Sequence, residues 1–187
     1  MSDVKELYRR ALERFGEHVE KIRDDQWQGP TPCTDWDVRV LVRHLVSENL
    51  WMPPLLAGLT VADVGNRLDG DLLGEDPKSA WLDSAKKSGD AVAAVPLDRT
   101  VHLSRREVPA EDYISEVMTD LAIHGWDLAR AIGDDEAIDP EIVNRLYKEF
   151  KDREGELKVI GMFGPKVFPP KGADRQTRLL AIFGRVA

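Results

Sequence analysis

Asp120 and His124 are the residues whose types and spacing point most directly to chemistry. They lie four positions apart among apolar residues that recur with helical spacing, so on a helix their Cβ atoms are about 5–6 Å apart on one face. That face carries the apolar stripe that should turn towards the core. His44 lies on the equivalent stripe of an earlier segment. An unpaired buried carboxylate costs several kcal/mol, so such residues need a hydrogen bond, an ion pair or a metal.

Two imidazoles and one carboxylate form a donor set for a divalent transition metal. These ligands select zinc, iron, nickel or manganese rather than calcium. Three protein ligands also leave one coordination position open, which is the arrangement of catalytic rather than structural zinc sites. The residues alone leave a second interpretation open, in which His44 is a hydrogen-bonded core residue and Asp120 and His124 form a charged hydrogen bond. Spacing does not establish that the segment of His44 meets the segment of the other two.

Helices are the elements predicted to position these side chains, because apolar residues recur at intervals of three and four along most of the chain. The first predicted helix runs from Val4 to Ile22. His44 lies on the second, which we expect to begin at Thr34 in a capping box with Asp37 and to be limited by Pro53-Pro54. Four later helices are predicted to open at Asp76-Pro77, at Pro109-Ala110 (ending at Gly133), at Asp139-Pro140 and at Asp174 (ending at Phe183).

The remaining segments are predicted to be short or irregular. Thr100–Ser104 has the pattern of a strand, and the residues after it are expected to turn back on it. The stretch from Leu55 to Asp76 is expected to form a short helix and a loop that can be one wall of a pocket, and a Gly- and Pro-rich link runs from Gly155 to Gly172. Amphipathic helices with at most one small β-hairpin predict an all-α bundle. Without a repeat or a shift in composition, residues 1–187 are predicted to form a single domain.

The composition is that of an ordinary globular protein and argues against several functional classes. Of the 187 residues, 42% are hydrophobic and 32% are charged, and the net charge of −8 argues against binding to nucleic acid or to an anionic membrane. The longest uncharged run, Asn49 to Ala62, is shorter than the ~20 residues that a membrane-spanning helix needs. No signal peptide is expected. Cys33 is the single cysteine, which precludes an internal disulfide and fits a cytoplasmic location.

Three stretches of the sequence resemble a known family. The first is Thr31-Pro-Cys-Thr-Asp-Trp-Asp-Val-Arg-Val-Leu-Val-Arg-His44. The second combines Val101-His-Leu-Ser and Val108-Pro-Ala-Glu-Asp-Tyr with Asp120-Leu-Ala-Ile-His124-Gly-Trp-Asp-Leu-Ala-Arg130, and the third is Ala173-Asp-Arg-Gln-Thr-Arg-Leu-Leu. Together they resemble actinobacterial proteins of the DinB-like superfamily, in the branch that includes the metal-binding domain of mycothiol-dependent maleylpyruvate isomerases.

The resemblance implies a DinB-like four-helix bundle with a central metal, usually zinc, and with accessory helices. Carried over to this sequence, the metal ligands are His44, Asp120 and His124. Members are commonly monomers or homodimers. The isomerase has Glu at the place of Asp120, which is one methylene shorter. The isomerase also has a second, catalytically important domain for which 187 residues leave no room, so the resemblance supports the metal-binding fold more strongly than maleylpyruvate isomerisation itself.

The leading functional hypothesis is a zinc-dependent enzyme that uses a low-molecular-weight thiol such as mycothiol. The metal would bind the thiol as thiolate, and the sulfur would attack a small electrophilic substrate in S-transfer or isomerisation. Hydrolysis by metal-bound water stays open. So do two readings without catalysis: a stress-related bundle that binds a metal or a small ligand, and a metal-free site in which the same residues are structural.

Cys33 and Glu48 are secondary candidates. Cys33 precedes the second predicted helix, where a thiol can have a lowered pKa, although a small packing residue beside Trp36 is the more common case. Glu48 lies one turn after His44 and can act as a general base or an extra ligand, although an exposed Glu is more common at such a position.

Asp127 can accept a hydrogen bond from a ligand imidazole, and capping or pairing with an arginine such as Arg130 is an equal alternative. His18 is expected at the surface, and His102 is expected to lie outside the site. Three residues of the second predicted helix and its end can line a pocket mouth but are more commonly core residues: Trp51, Met52 and Leu55.

Overall fold

The computed structural model describes residues 2–152 and 167–187 of the chain. Its helices are α1 (Val4–Glu20), α2 (Val38–Leu56), α3 (Val61–Val64), α4 (Pro77–Ala94), α5 (Ala110–Ile132), α6 (Pro140–Phe150) and α7 (Arg175–Ile182). Two short strands, β1 (Thr100–His102) and β2 (Glu107–Pro109), pair antiparallel with Val101 opposite Val108. The expected all-α class with one small hairpin is therefore confirmed.

Four long helices form the bundle core, and the other described helices are accessory. Helix α1 packs along α5 and α4, and α2 packs along α4 and α5. The rings of Phe15 on α1 and Trp81 on α4 lie 4.5 Å apart, and both residues are buried. Helices α6 and α7 pack mainly on each other. Apolar side chains at helical spacing meet in one core, so burial of these stripes drives the helices together.

Helix α5 is the longest described helix and carries two of the three predicted site residues. Its buried face includes Ile114, Met118, Leu121 and Leu128. The helix ends where the sequence predicts, because Gly133 adopts the left-handed conformation, with a φ of 75°, at no steric cost. Asp120 and His124 follow this buried face at its edge and stay partly accessible.

Helix α2 begins later than predicted. Asp37, not Thr34, caps its first turn by accepting a hydrogen bond from the Val40 amide at 2.8 Å. Asp35 has a φ of 70°, which a right-handed helix does not accommodate, and the Trp36 amide closes a turn on the Cys33 carbonyl. The predicted capping box at Thr34 was therefore wrong, and residues 33–36 form a turn before the helix.

The helix also continues further than Pro53-Pro54 suggests. Both prolines lie within α2, whose last residue is Leu56. Their carbonyl oxygens accept hydrogen bonds from the amides of Ala57 and Leu59, each at 3.0 Å. Each proline lacks the N–H that would bond to the carbonyl four residues earlier, so α2 forgoes two backbone bonds there and ends two residues after Pro54.

The segment between α2 and α4 packs against the helix of His44. Leu73 of this segment is buried in the core. Arg43 donates hydrogen bonds to the Gly70 carbonyl, and Arg39 pairs with Asp71. Of the predicted link from Gly155 to Gly172, residues 155–166 lie outside the described part of the chain.

No helix within residues 2–152 and 167–187 combines the length and the apolar character needed to cross a bilayer.

Candidate metal centre

Helices α2 and α5 bring the three predicted ligands together. One donor atom from each of His44, Asp120 and His124 lies within 4.8 Å of the others. The His44 Nε2 atom lies 3.3 Å from the Asp120 Oδ2 atom, and the rings of His44 and His124 meet edge to face with centroids 5.3 Å apart. All three residues are partly exposed.

The electrostatics of this cluster favour a cation. Burial lowers the pKa of His44, but its hydrogen bond to Asp120 and the charges of Asp120 and Glu48 raise the pKa by more. Glu48 is half-buried one turn further along α2, so the exposed position expected for it was wrong. Burial raises the pKa of Glu48, and the neighbouring charges of Asp120 and Glu116 raise it further against the opposing effect of His44. Two carboxyl groups, those of Asp120 and Glu48, thus act on the imidazole of His44.

His124 is held in one orientation by a buried carboxylate. Its Nδ1 atom lies 3.0 Å from Oδ2 of Asp127, which is fully buried. Arg185 donates two hydrogen bonds to Asp127, from Nε to Oδ1 at 3.1 Å and from Nη2 to Oδ2 at 2.7 Å. Burial raises the pKa of Asp127, but the hydrogen bonds from His124 and Arg185 lower it by more.

The ionised Asp127 accepts hydrogen bonds and donates none, so Nδ1 of His124 must carry a proton. The lone pair of the imidazole is then on Nε2. A carboxylate on the far nitrogen of a histidine is the usual support for a metal ligand. The two imidazoles and the carboxylate are therefore suitable ligands for a divalent transition metal. Asp127, behind His124, is the kind of support that a ligand histidine usually has.

Trp36 covers the cluster from the turn that precedes α2. Its ring lies 4.9 Å from the His44 ring and is stacked on the His124 ring at 5.4 Å, centroid to centroid. Sequence reasoning did not assign Trp36 to the site, because its position depends on the turn at residues 33–36 and not on helical spacing. The aromatic ring shields one side of the two imidazoles from water.

Cys33 belongs to the supporting shell of His124. Its Sγ atom and donor atoms of His124 and Asp127 lie within 4.8 Å of one another. Asp127 is already neutralised by Arg185, whose positive charge disfavours a second metal ion at this place. Burial raises the pKa of Cys33 by more than the Arg185 charge lowers it, so the thiol is not activated. Cys33 also lies outside α2, five residues before its first residue.

The surface position expected for His18 was wrong. His18 is 2% exposed, because α1 packs along α5 and brings its Nδ1 atom to 2.7 Å from Asp134. Asp127 contacts the imidazole of His124 and pairs with an arginine, as the sequence suggests, but that arginine is Arg185, since Arg130 forms an ion pair with Glu136.

The remaining candidate residues lie where the sequence predicts. His102 pairs with Glu107 on the hairpin at 2.9 Å and is not a member of the cluster. Met52 and Leu55 are buried core residues, and Trp51 packs against the core at its edge.

The fold and the cluster define a class of protein: a helical bundle with two histidines and an aspartate gathered between two of its core helices. Comparison with known families agrees with this class. The model of the mycothiol maleylpyruvate isomerase N-terminal domain matches residues 8–129. The chain therefore belongs to this family, as the resemblance of its motifs predicts.

Similar proteins and structures support the assignment. Two uncharacterized proteins of Mycobacterium tuberculosis, from strains CDC 1551 / Oshkosh and ATCC 25618 / H37Rv, are 33% identical over 146 residues, covering 74% of this chain and 73% of each relative. The crystal structure of the mycothiol-dependent maleylpyruvate isomerase superposes with a TM-score of 0.59 at 14% identity, and that of a mutant with 0.62 at 13%. Each covers 80% of this chain and 72% of the isomerase chain. At such identities the likeness shows the fold.

Proposed function

We propose that the protein is a zinc-dependent enzyme that uses a low-molecular-weight thiol of the mycothiol type to transform a small electrophilic substrate by S-transfer or isomerisation. His44, Asp120 and His124 hold the metal in this proposal, with nickel, iron or manganese as other ions that suit the donors. The observation that carries the proposal is the approach of these donor atoms to within 4.8 Å, from two helices of a bundle in the isomerase family.

The metal, when bound, supplies charge that stabilises the thiolate form of a coordinating thiol at neutral pH. The chain's own residues do the remaining work. Asp127 keeps the proton of His124 on Nδ1, which would leave the lone pair of Nε2 available to a metal. Trp36 excludes water from one side of the two histidines, which strengthens the electrostatic interactions within the site.

Glu48 is the group that can move a proton in this site. It is half-buried beside His44 and Asp120, and its raised pKa brings its carboxyl group nearer to neutral pH than an exposed Glu. Such a carboxyl can take the thiol proton or return it to the substrate. Its role as an acid–base group depends on proximity to the ligands and not on metal coordination.

The expected partners are small molecules. The three proposed ligands are partly exposed, and the ring of Trp36 lies against the two imidazoles. The net charge of −8 disfavours nucleic acid and anionic membranes. We further propose that residues 1–187 form one domain, that it acts in the cytoplasm as a monomer or homodimer, and that maleylpyruvate is one substrate to test among small electrophiles.

The direct test is turnover of maleylpyruvate and of a model electrophile, chlorodinitrobenzene, by the zinc-loaded protein with and without mycothiol. We expect turnover that requires both zinc and mycothiol and that is lost in His44→Ala. Thiol-independent hydrolysis of ester substrates by the zinc protein would instead favour metal-bound water. Absence of any turnover despite bound zinc would favour a metal-binding protein without catalysis and would contradict the proposal.

A further inference from the structure

Arg185 is a buried cation in the short segment that follows α7. It is 7% exposed, and its partner Asp127 is completely buried. The guanidinium binds both oxygens of the carboxylate, at 3.1 and 2.7 Å. The segment after α7 therefore reaches the face of α5 that carries His124, although the two residues are far apart in sequence.

The backbone after α7 is built to direct Arg185 inwards. Phe183 is fully buried, and Gly184 has a φ of 77°, which reverses the chain with little strain because glycine has no Cβ. The Arg185 amide then donates to the Leu180 carbonyl at 2.9 Å, and its Nη1 group donates to the Phe183 carbonyl at 2.8 Å. The guanidinium is thus fixed by its own backbone as well as by Asp127.

We propose that Arg185 is a positioning residue for the metal ligand His124, acting through Asp127. Oδ2 of Asp127 accepts hydrogen bonds from both Arg185, at 2.7 Å, and His124, at 3.0 Å. The second bond from Arg185, to Oδ1, prevents rotation of the carboxylate. Arg185 therefore fixes the proton of His124 on Nδ1 and the direction of its ring. This inference rests on the metal centre of the proposed function.

Positioning and simple electrostatics predict opposite effects on metal affinity. A cation this close to the site repels a metal ion, so removal of its charge alone would strengthen binding. Loss of a support behind a ligand histidine typically weakens metal binding 10–100-fold. The direction of the change on removing the guanidinium therefore separates the two roles.

The first measurement is zinc affinity by chelator competition for wild type, Arg185→Gln and Arg185→Lys. Arg130→Gln is the matched control, because Arg130 anchors the same segment through the Val186 carbonyl and makes no hydrogen bond to Asp127. We expect about 10–100-fold weaker binding in Arg185→Gln, a smaller loss in Arg185→Lys, and wild-type affinity in the control. Unchanged or stronger binding in Arg185→Gln would overturn the proposal. An equal loss in Arg130→Gln would also overturn it, because general anchoring would then be sufficient.

The second measurement is the ¹⁵N spectrum of the histidines in the metal-free protein. We expect His124 as a fixed Nδ1–H tautomer in wild type and as a mixture in Arg185→Gln. Identical spectra would contradict the inference. If wild type binds no zinc, the proposed function fails, and this spectrum still decides the role of Arg185. If Arg185→Gln does not fold, Arg185→Lys, which keeps the buried charge, carries both measurements with the same expected directions.

Discussion

The His44 Nε2 atom lies 3.3 Å from the Asp120 Oδ2 atom, across two helices and 76 positions of sequence. This contact joins α2 to α5 beside His124, whose donor atom lies within 4.8 Å of donor atoms of both residues. Asp120 stays on the edge of the buried face of its helix, with a carboxylate oxygen within 4.8 Å of donor atoms of both imidazoles. The charge and the length of the Asp120 side chain can therefore be tested as determinants of metal binding.

We expect Asp120→Asn to weaken zinc binding at least 10-fold, because an amide is a much poorer zinc ligand than a carboxylate. Asp120→Glu should retain zinc, since it keeps the carboxylate and adds one methylene. Zinc titration against a chelator measures both. Wild-type affinity in Asp120→Asn would show that this carboxylate is not a ligand.

The Asp127–Arg185 pair should contribute strongly to stability. Asp127→Ala leaves the Arg185 charge buried and unpaired, which is expected to cost about 3–5 kcal/mol of unfolding free energy. Urea denaturation of the metal-free protein measures the change. The control is Glu136→Ala, which breaks the part-exposed pair with Arg130 and should cost about 1 kcal/mol or less. Equal losses of unfolding free energy in the two variants would show that the buried Asp127–Arg185 pair contributes no more to stability than the part-exposed pair.

Asp134, just after α5, bonds to His18 and Lys21 at the end of α1. This cluster predicts that the free energy of unfolding depends on pH. Burial raises the pKa of Asp134, but hydrogen bonds from Lys21, from the Asp135 backbone and from His18 lower it well below its usual range. A depressed folded pKa contributes stability above the unfolded pKa of about 3.9, and the contribution is lost as the pH falls through the folded pKa.

Asp134→Asn should therefore be less stable than wild type at pH 7, with the difference shrinking as the pH falls below about 4. Unfolding free energies at several pH values give the comparison directly. A difference that stays constant down to pH 2 would mean that the carboxylate charge contributes nothing.

Glu48 is expected to matter for turnover and not for metal retention. Glu48→Gln keeps the shape of the side chain and removes its proton exchange, so thiol-dependent turnover should fall about 100-fold or more with zinc still bound. Glu111→Gln is the control, because Glu111 pairs with Arg145 on the outside of the bundle and is not among the charges that shift the pKa of Glu48. Full activity in Glu48→Gln, or loss of zinc, would contradict the assigned role.

Much of the bundle could be predicted from the sequence. The apolar stripes, the Asp-Pro starts at residues 76 and 139 and the stop at Gly133 are local signals, and each appears in the structure as expected. The beginning of α2 was placed too early, since a capping pattern at Thr34 does not reveal the left-handed backbone of Asp35. Helix α2 runs two residues beyond Pro53-Pro54, since a proline removes a bond to the preceding turn while its own carbonyl still accepts one, as the bonds from Ala57 and Leu59 show.

The site was only partly predictable. Helical spacing places Asp120 and His124 together, and the family resemblance adds His44. The supports come from elsewhere: Trp36 from a turn and Arg185 from the segment after α7. Such contacts between distant segments arise from packing, which leaves no periodic signal in the sequence. The burial of His18 was missed for the same reason, since its partner Asp134 lies beyond the end of another helix.

Metal content per chain decides whether His44, Asp120 and His124 hold a metal ion. Tag-free protein is measured by plasma mass spectrometry, beside His44→Ala and His124→Ala, with His102→Ala as a control that lies outside the cluster. We expect about one zinc ion per chain in wild type and the control, and none in the two site variants, which remain folded. A wild-type protein that binds no metal after incubation with zinc, or site variants that keep it, would show that these residues are not metal ligands.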